Sequence, residues 1–166
     1  MNRKAIALSL VLSLFIFGCA KKPLVKPPEP VPEVVQPAET PSEPEIRYPD
    51  WQNIAEVKTI YFDFDSSEIK PEARKILENN AQFLVKSTEV VVLVEGHCDE
   101  RGTIEYNLGL GQRRAKAVRD YYIALGVSAD RIGTISYGKE KPVDPGHNEE
   151  AWAKNRRAET KVRTKK

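Results

Sequence analysis

Val90-Val91-Val92-Leu93-Val94-Glu95 runs through Gly96-His97-Cys98-Asp99-Glu100-Arg101-Gly102-Thr103 into the stretch Ile104–Leu125, and this passage decides the fold. The near-continuous apolar run predicts an interior strand covered on both faces. After the loop, Leu110, Ala117, Val118, Tyr121 and Leu125 recur at helical spacing, predicting a helix from about Ile104 to Leu125 that Gly126 stops. Arg114 lies in that apolar stripe. A guanidinium there needs a partner, because removing one member of a buried ion pair costs roughly 3–5 kcal/mol. The nearest acid in sequence is Asp99, across the strand-to-helix junction. The two form either a structural salt bridge or a facing pair with room for a ligand bearing both an amine and a carboxylate.

Working outward, Lys58–Phe64 reads as a first strand, with Ile60, Phe62 and Phe64 alternating onto one face. A helix opening at Pro71 follows, its buried stripe being Ala73, Ile76, Leu77, Ala81 and Leu84. Arg131–Tyr137 is a third strand, Glu149–Lys154 a short helix and Ala158–Val162 a last strand. The order β-α-β-α-β, then a short helix and a strand, predicts an α/β (α+β) sandwich with helices packed on one mixed sheet. Residues 51–166 suit a single domain.

The preceding segments have a different character. Arg3 and Lys4 introduce an apolar run from Ala5 to Phe17, shorter than the roughly 20 residues that span a bilayer and laid out like a secretory signal. It ends in Ile16-Phe17-Gly18-Cys19, which resembles a bacterial lipobox. Residues 1–18 are therefore read as a lipoprotein signal peptide and Cys19 as the lipidated residue, with the outer membrane as the expected address because Ala20 and Lys21 follow. Between Lys21 and Asp50 lie nine of the twelve prolines. Residues 19–50 thus form an extended tether, reaching on the order of 90 Å at ~3.1 Å per residue.

Charge and cysteine usage exclude other classes. Removing Arg3 and Lys4 from 26 Lys+Arg leaves 24 against 24 Asp+Glu, a balance that argues against nucleic acid as partner. With Cys19 lipidated, Cys98 has no intrachain partner, and no fixed base beside it suggests a nucleophile. His97-Cys98-Asp99-Glu100 matches no zinc spacing, so neither metal nor cofactor is expected.

Cys98-Asp99, ten residues, then Leu110-Gly111-Gln112-Arg113-Arg114-Ala115-Lys116-Ala117-Val118 resembles the signature of OmpA-like peptidoglycan-binding domains. Tyr61–Asp65, Val94–His97, Asp99–Thr103, Ser136–Pro142 and Asn155–Ala158 extend the resemblance over nearly all of residues 58–162. The departures are Cys98, where threonine is common, and Gly111, where serine is. The resemblance implies a lipoprotein that binds the peptidoglycan stem peptide without catalysis. Asp99 would pair with the ammonium of meso-diaminopimelate and Arg114 with its carboxylate. Phe64, Asp65, Thr103 and Leu110 would supply further contacts, and Asn155 and Arg157 would brace the site, with Arg156 either bracing it or lying at the surface. The resemblance also implies TolB and TolA as partners, the Tol system in envelope integrity and cell division as the setting, and a periplasmic domain tied to the outer membrane. A wall-modifying enzyme would need a convergent acid and base, which the adjacent Asp99 and Glu100 do not supply. A flagellar stator would need a transmembrane helix carrying an acid, which residues 5–17 lack. A wall-anchored lipoprotein outside the Tol system stays open.

Overall fold

A computed structural model describes residues 44–165. The expected signal peptide, lipidated Cys19 and most of the tether lie outside the described residues. In chain order the elements are β1 (Ile60–Tyr61), α1 (Pro71–Lys86), β2 (Val90–His97), α2 (Ile104–Ala124), a 3-10 turn (Ala129–Arg131), β3 (Ile132–Gly138), α3 (Glu149–Asn155) and β4 (Arg157–Thr164). The strands make one mixed sheet in the order β1-β4-β2-β3, with β2 parallel to β3 and antiparallel to β4. The three helices pack on this sheet, giving the expected α/β architecture.

Local chemistry sets the helix boundaries. Pro71 occupies the first position of α1, where its missing N–H costs nothing. Thr103 caps α2 by accepting the Tyr106 N–H at 3.1 Å, and Asn148 caps α3 by accepting the Ala151 N–H at 2.9 Å. Val90, Val92 and Val94 of β2 join Ile132, Ala158 and Val162 against Leu77, Ala81 and Leu84 of α1 and Ala115 and Val118 of α2. Each large aliphatic buried there contributes roughly 1.5–3 kcal/mol. Val91 and Leu93, on the opposite face of β2, are buried too, as expected of an interior strand. A polar network crosses this core: the Asn80 amide donates to the Tyr122 hydroxyl at 3.0 Å, and that hydroxyl lies 3.0 Å from Thr160 Oγ1. Asn80 also bonds both the N–H and the carbonyl of Lys58, so the network ties α1, α2 and β4 to the approach to β1.

Three expectations need correction. The first strand is two residues long instead of seven. Phe62 N–H still bonds the Arg156 carbonyl at 2.8 Å, but the chain then turns away through Asp65, whose φ is +53°. Phe64 therefore does not join Ile60 and Phe62 inside; it is 59% exposed. The last strand runs longer than expected, from Arg157 to Thr164, because its charged residues occupy the sheet face opposite the helices. Pro44–Asp50, placed in the tether by composition, includes residues that lie against the sheet: Ile46 adjoins Gly133, and Tyr48 stacks under the Arg163 guanidinium at 3.7 Å. The next residues join the sheet directly, Gln52 bridging Val162 through two backbone hydrogen bonds.

The feature that positions the functional region is a backbone contact between β2 and α2. A Cβ on Gly96 would stand 1.9 Å from the Gly111 carbonyl oxygen, and one on Gly111 would stand 2.3 Å from Ser136 Oγ. Helix and strand approach this closely because both positions are glycine. Gly111, the departure noted in the signature, is thus a packing residue. Arg114 lies one turn further along the helix.

Candidate functional site

Arg114 is fully buried, and its fork is spent on the backbone. Its Nε–H donates to the Ser66 carbonyl at 2.8 Å, one η nitrogen to the His97 carbonyl at 2.8 Å and the other to the Asp63 carbonyl at 3.0 Å. The guanidinium also stacks over Phe62, 5.0 Å from the ring centroid. It therefore pins the turn after β1 to the end of β2. It makes no ion pair with Asp99, so the salt-bridge alternative is wrong. Carbonyls satisfy donors but bring no formal charge. The Cys98 thiol also lies beside the guanidinium, and burial lowers the Arg114 pKa, an effect that Cys98 and Asp99 partly offset.

Asp99 finds other cations. Arg101 grips it through Nε at 3.3 Å and an η nitrogen at 2.6 Å, and Arg156 approaches at 3.4 Å. Burial pushes the Asp99 carboxyl up, but Arg101 and then Arg156 outweigh it, so its pKa falls below the ordinary value. Arg101 is itself held between two aromatic rings, 3.9 Å from the centroid of Phe64 and 4.2 Å from that of Trp152. Arg156 is buried, donating to the Phe62 carbonyl at 3.1 Å and to Glu149 at 2.7 Å. A surface role for Arg156 is thereby excluded.

Arg114, Asp99, Arg101, Arg156 and Phe64 line one cavity of about 150 Å³, together with Asp65, Gly102, Tyr106, Asn107 and Leu110. Of the residues expected at the site, Phe64, Asp65, Asp99, Leu110 and Arg114 meet there. Asp65 is fixed by the Tyr106 hydroxyl, and its left-handed backbone is one that aspartate tolerates better than most residues. Thr103 does not line the cavity; its hydroxyl is spent capping α2. Asn155 and Arg157 brace a neighbouring loop instead: Asn155 bonds Val143 and Asp144, and Arg157 bonds Glu159 and the Lys141 carbonyl. Tyr106 was not singled out from sequence, and for Arg101 and Arg156 the sequence left the role open. Nearness to Asp99 was the signal for Arg101; no local signal pairs Arg156 with Asp99, which is 57 residues away.

The run His97–Glu100 fans out. Cys98 is buried, its thiol 3.3 Å from the Asn107 carbonyl, and burial pushes its pKa up, which suits an inert thiol. Glu100 accepts from Trp152 Nε1 at 2.8 Å and lies 2.6 Å from His147, tying the loop to α3.

Fold and cavity together define a small α/β domain whose pocket offers three guanidinium groups, two carboxylates and aromatic walls to a charged ligand. The model of the OmpA family matches residues 61–156, and the chain belongs to that family. Among its relatives is the peptidoglycan-associated lipoprotein of Mesorhizobium japonicum, 41% identical over 96% of this chain and 92% of that protein. The peptidoglycan-associated lipoprotein of Pseudomonas aeruginosa is 54% identical over 63% of this chain, and the match spans 62% of that relative. Of solved structures, the peptidoglycan-associated lipoprotein from Burkholderia pseudomallei is 46% identical, with a TM-score of 0.62 over 63% of this chain and 89% of that one. The C-terminal domain of Helicobacter pylori MotB follows at 25% identity and a TM-score of 0.61, over 65% and 85%.

Proposed function

We propose that this protein is a non-enzymatic outer-membrane lipoprotein whose 44–165 region grips peptidoglycan, so that the lipid on Cys19 and the proline-rich tether couple membrane to wall. The observation that carries the reading is the cavity lined by Asp99 and Arg114, opposite charges brought into one pocket without being paired to each other. A zwitterionic end such as that of meso-diaminopimelate fits this arrangement, its carboxylate meeting the Arg114 charge and its ammonium approaching Asp99. Arg101, a third exposed, is the cation that would yield when the ammonium arrives. Phe64, Asp65, Tyr106 and Leu110 would wall the ligand. Each charge-assisted bond is worth roughly 1.5–3 kcal/mol, enough for reversible binding after the ligand is immobilised. The names of the relatives, peptidoglycan-associated lipoproteins, support the same reading. TolB and TolA as partners, and a part in envelope integrity and cell division, follow from the family resemblance.

The test is sedimentation of the full chain in detergent with purified diaminopimelate-type peptidoglycan. Wild type should pellet with the wall, and Arg114→Ala and Asp99→Ala should stay in solution while retaining native circular dichroism. Equal pelleting of all three folded proteins would refute the assignment of the pocket.

A further inference from the structure

On the sheet face opposite the helices, β2 and β4 bring together three residues far apart in sequence. Glu95 and Glu159 are direct antiparallel partners, and His97 lies two residues along from Glu95 on the same face. Like charges directly opposite on neighbouring strands repel and need a cation between or beside them. One donor atom from each of Glu95, His97 and Glu159 lies within 4.8 Å of the others, and His97 Nε2 stands 3.7 Å from Glu95 Oε2. His97 is 2% exposed, yet neither ring nitrogen has a hydrogen-bond partner. A buried imidazole with both nitrogens idle, one of them turned toward two carboxylates, is an incomplete arrangement.

We propose that Glu95, His97 and Glu159 form a binding site for a divalent transition-metal cation of the zinc type, separate from the cavity at Arg114. Imidazole and carboxylate oxygen are ligands this class accepts, at about 2.0–2.2 Å. Tetrahedral bonds of that length hold donors roughly 3.4 Å apart, so the Glu95–His97 separation is already close and Glu159 need only rotate inward. The Tyr137 ring packs on the imidazole with centroids 5.5 Å apart and a 30° tilt, fixing its plane. Two cations hold the carboxylates: Lys161 Nζ is 2.8 Å from Glu95, and Arg157 Nε is 2.6 Å from Glu159. Lys161 is the one a metal must displace. Its side chain is 23% exposed and that of Glu159 17%, which gives it water to move into and the ion a route of entry.

Equilibrium dialysis of the full chain in detergent against zinc chloride, with metal content measured directly, tests the site. Wild type should bind one equivalent. Glu159→Gln, at a partly exposed position, should weaken binding at least tenfold with an unchanged melting temperature in chelator. Lys161→Met should strengthen it about tenfold, because the competing ammonium is gone. His147→Ala, which removes the second histidine, should bind as wild type does. No stoichiometric zinc, retention of full affinity by Glu159→Gln, or loss of binding in His147→Ala would each overturn the proposal. None of these outcomes bears on wall sedimentation, which reads the Arg114 cavity alone.

Discussion

Two buried arginines at different places in the fold solve the same problem with different consequences. Arg131, in the turn before β3, donates to the carbonyls of Val90, Leu84 and Ser87 and bolts the end of α1 to the start of β2. Arg114 likewise serves three carbonyls, at the other end of β2, but it borders a cavity that also holds Asp99 and Asp65. Hydrogen bonding to carbonyls removes the cost of unmet donors and leaves the positive charge in place. Burial alone therefore does not mark a functional arginine. What distinguishes Arg114 from Arg131 is burial beside a cavity that holds carboxylates.

The sharpest way to break this comparison is to remove each arginine in turn. Arg114→Ala should lower peptidoglycan affinity on the order of 100-fold, the value of a two-pronged charge-assisted contact, in a sedimentation titration. Arg131→Ala should lose about 3 kcal/mol of stability in urea melts, because buried carbonyls are left unmet, yet bind the wall normally while folded. If both lost binding in proportion to stability, the distinction between them would fail.

Asp99→Asn gives a smaller effect. The amide keeps one acceptor oxygen for Arg101, replaces the other with an NH2 that cannot accept, and drops the charge an ammonium needs, so affinity should fall about tenfold by the same titration. The same residue gives the region around Arg114 a pH signature. Asp99 titrates lower in the folded chain than in the unfolded one. Its contribution to stability is therefore complete above about pH 5. It is lost as the pH falls from roughly 4 through the lower folded value. Asp99→Asn should flatten that acid limb of the stability curve, and Arg131→Ala should leave it in place. The smallest effect belongs to Thr103→Ala: loss of the α2 cap should cost about 1 kcal/mol in thermal melts with wall affinity unchanged. A large loss of affinity instead would return Thr103 to the ligand.

Much of this was legible in sequence. The run Val90–Glu95, the stripe on α2, Pro71 and Gly126 identified elements and boundaries, because apolar spacing and backbone chemistry are local properties. Arg114 stood out for a reason equally local, a charge among apolar neighbours on one helix face. The length of β1 was not legible, since the residues that follow it are pulled off the sheet by Arg114 itself, 48 residues later than Ser66. Nor was the partner of Asp99, because Arg156 reaches it only through the antiparallel return of β4.

The sequence by itself determined the order of elements, the core stripes and the identity of the charges at the site. Only the tertiary structure decided which charges meet, because pairing depends on sheet order and on a helix brought against a strand at Gly96 and Gly111. It gave Asp99 to Arg101 and Arg156, left Arg114 to the backbone and set Glu95 against Glu159. Apart from the Asp99–Arg101 pair, which joins near neighbours, those outcomes are fixed by distances between segments remote in sequence, which no local pattern encodes.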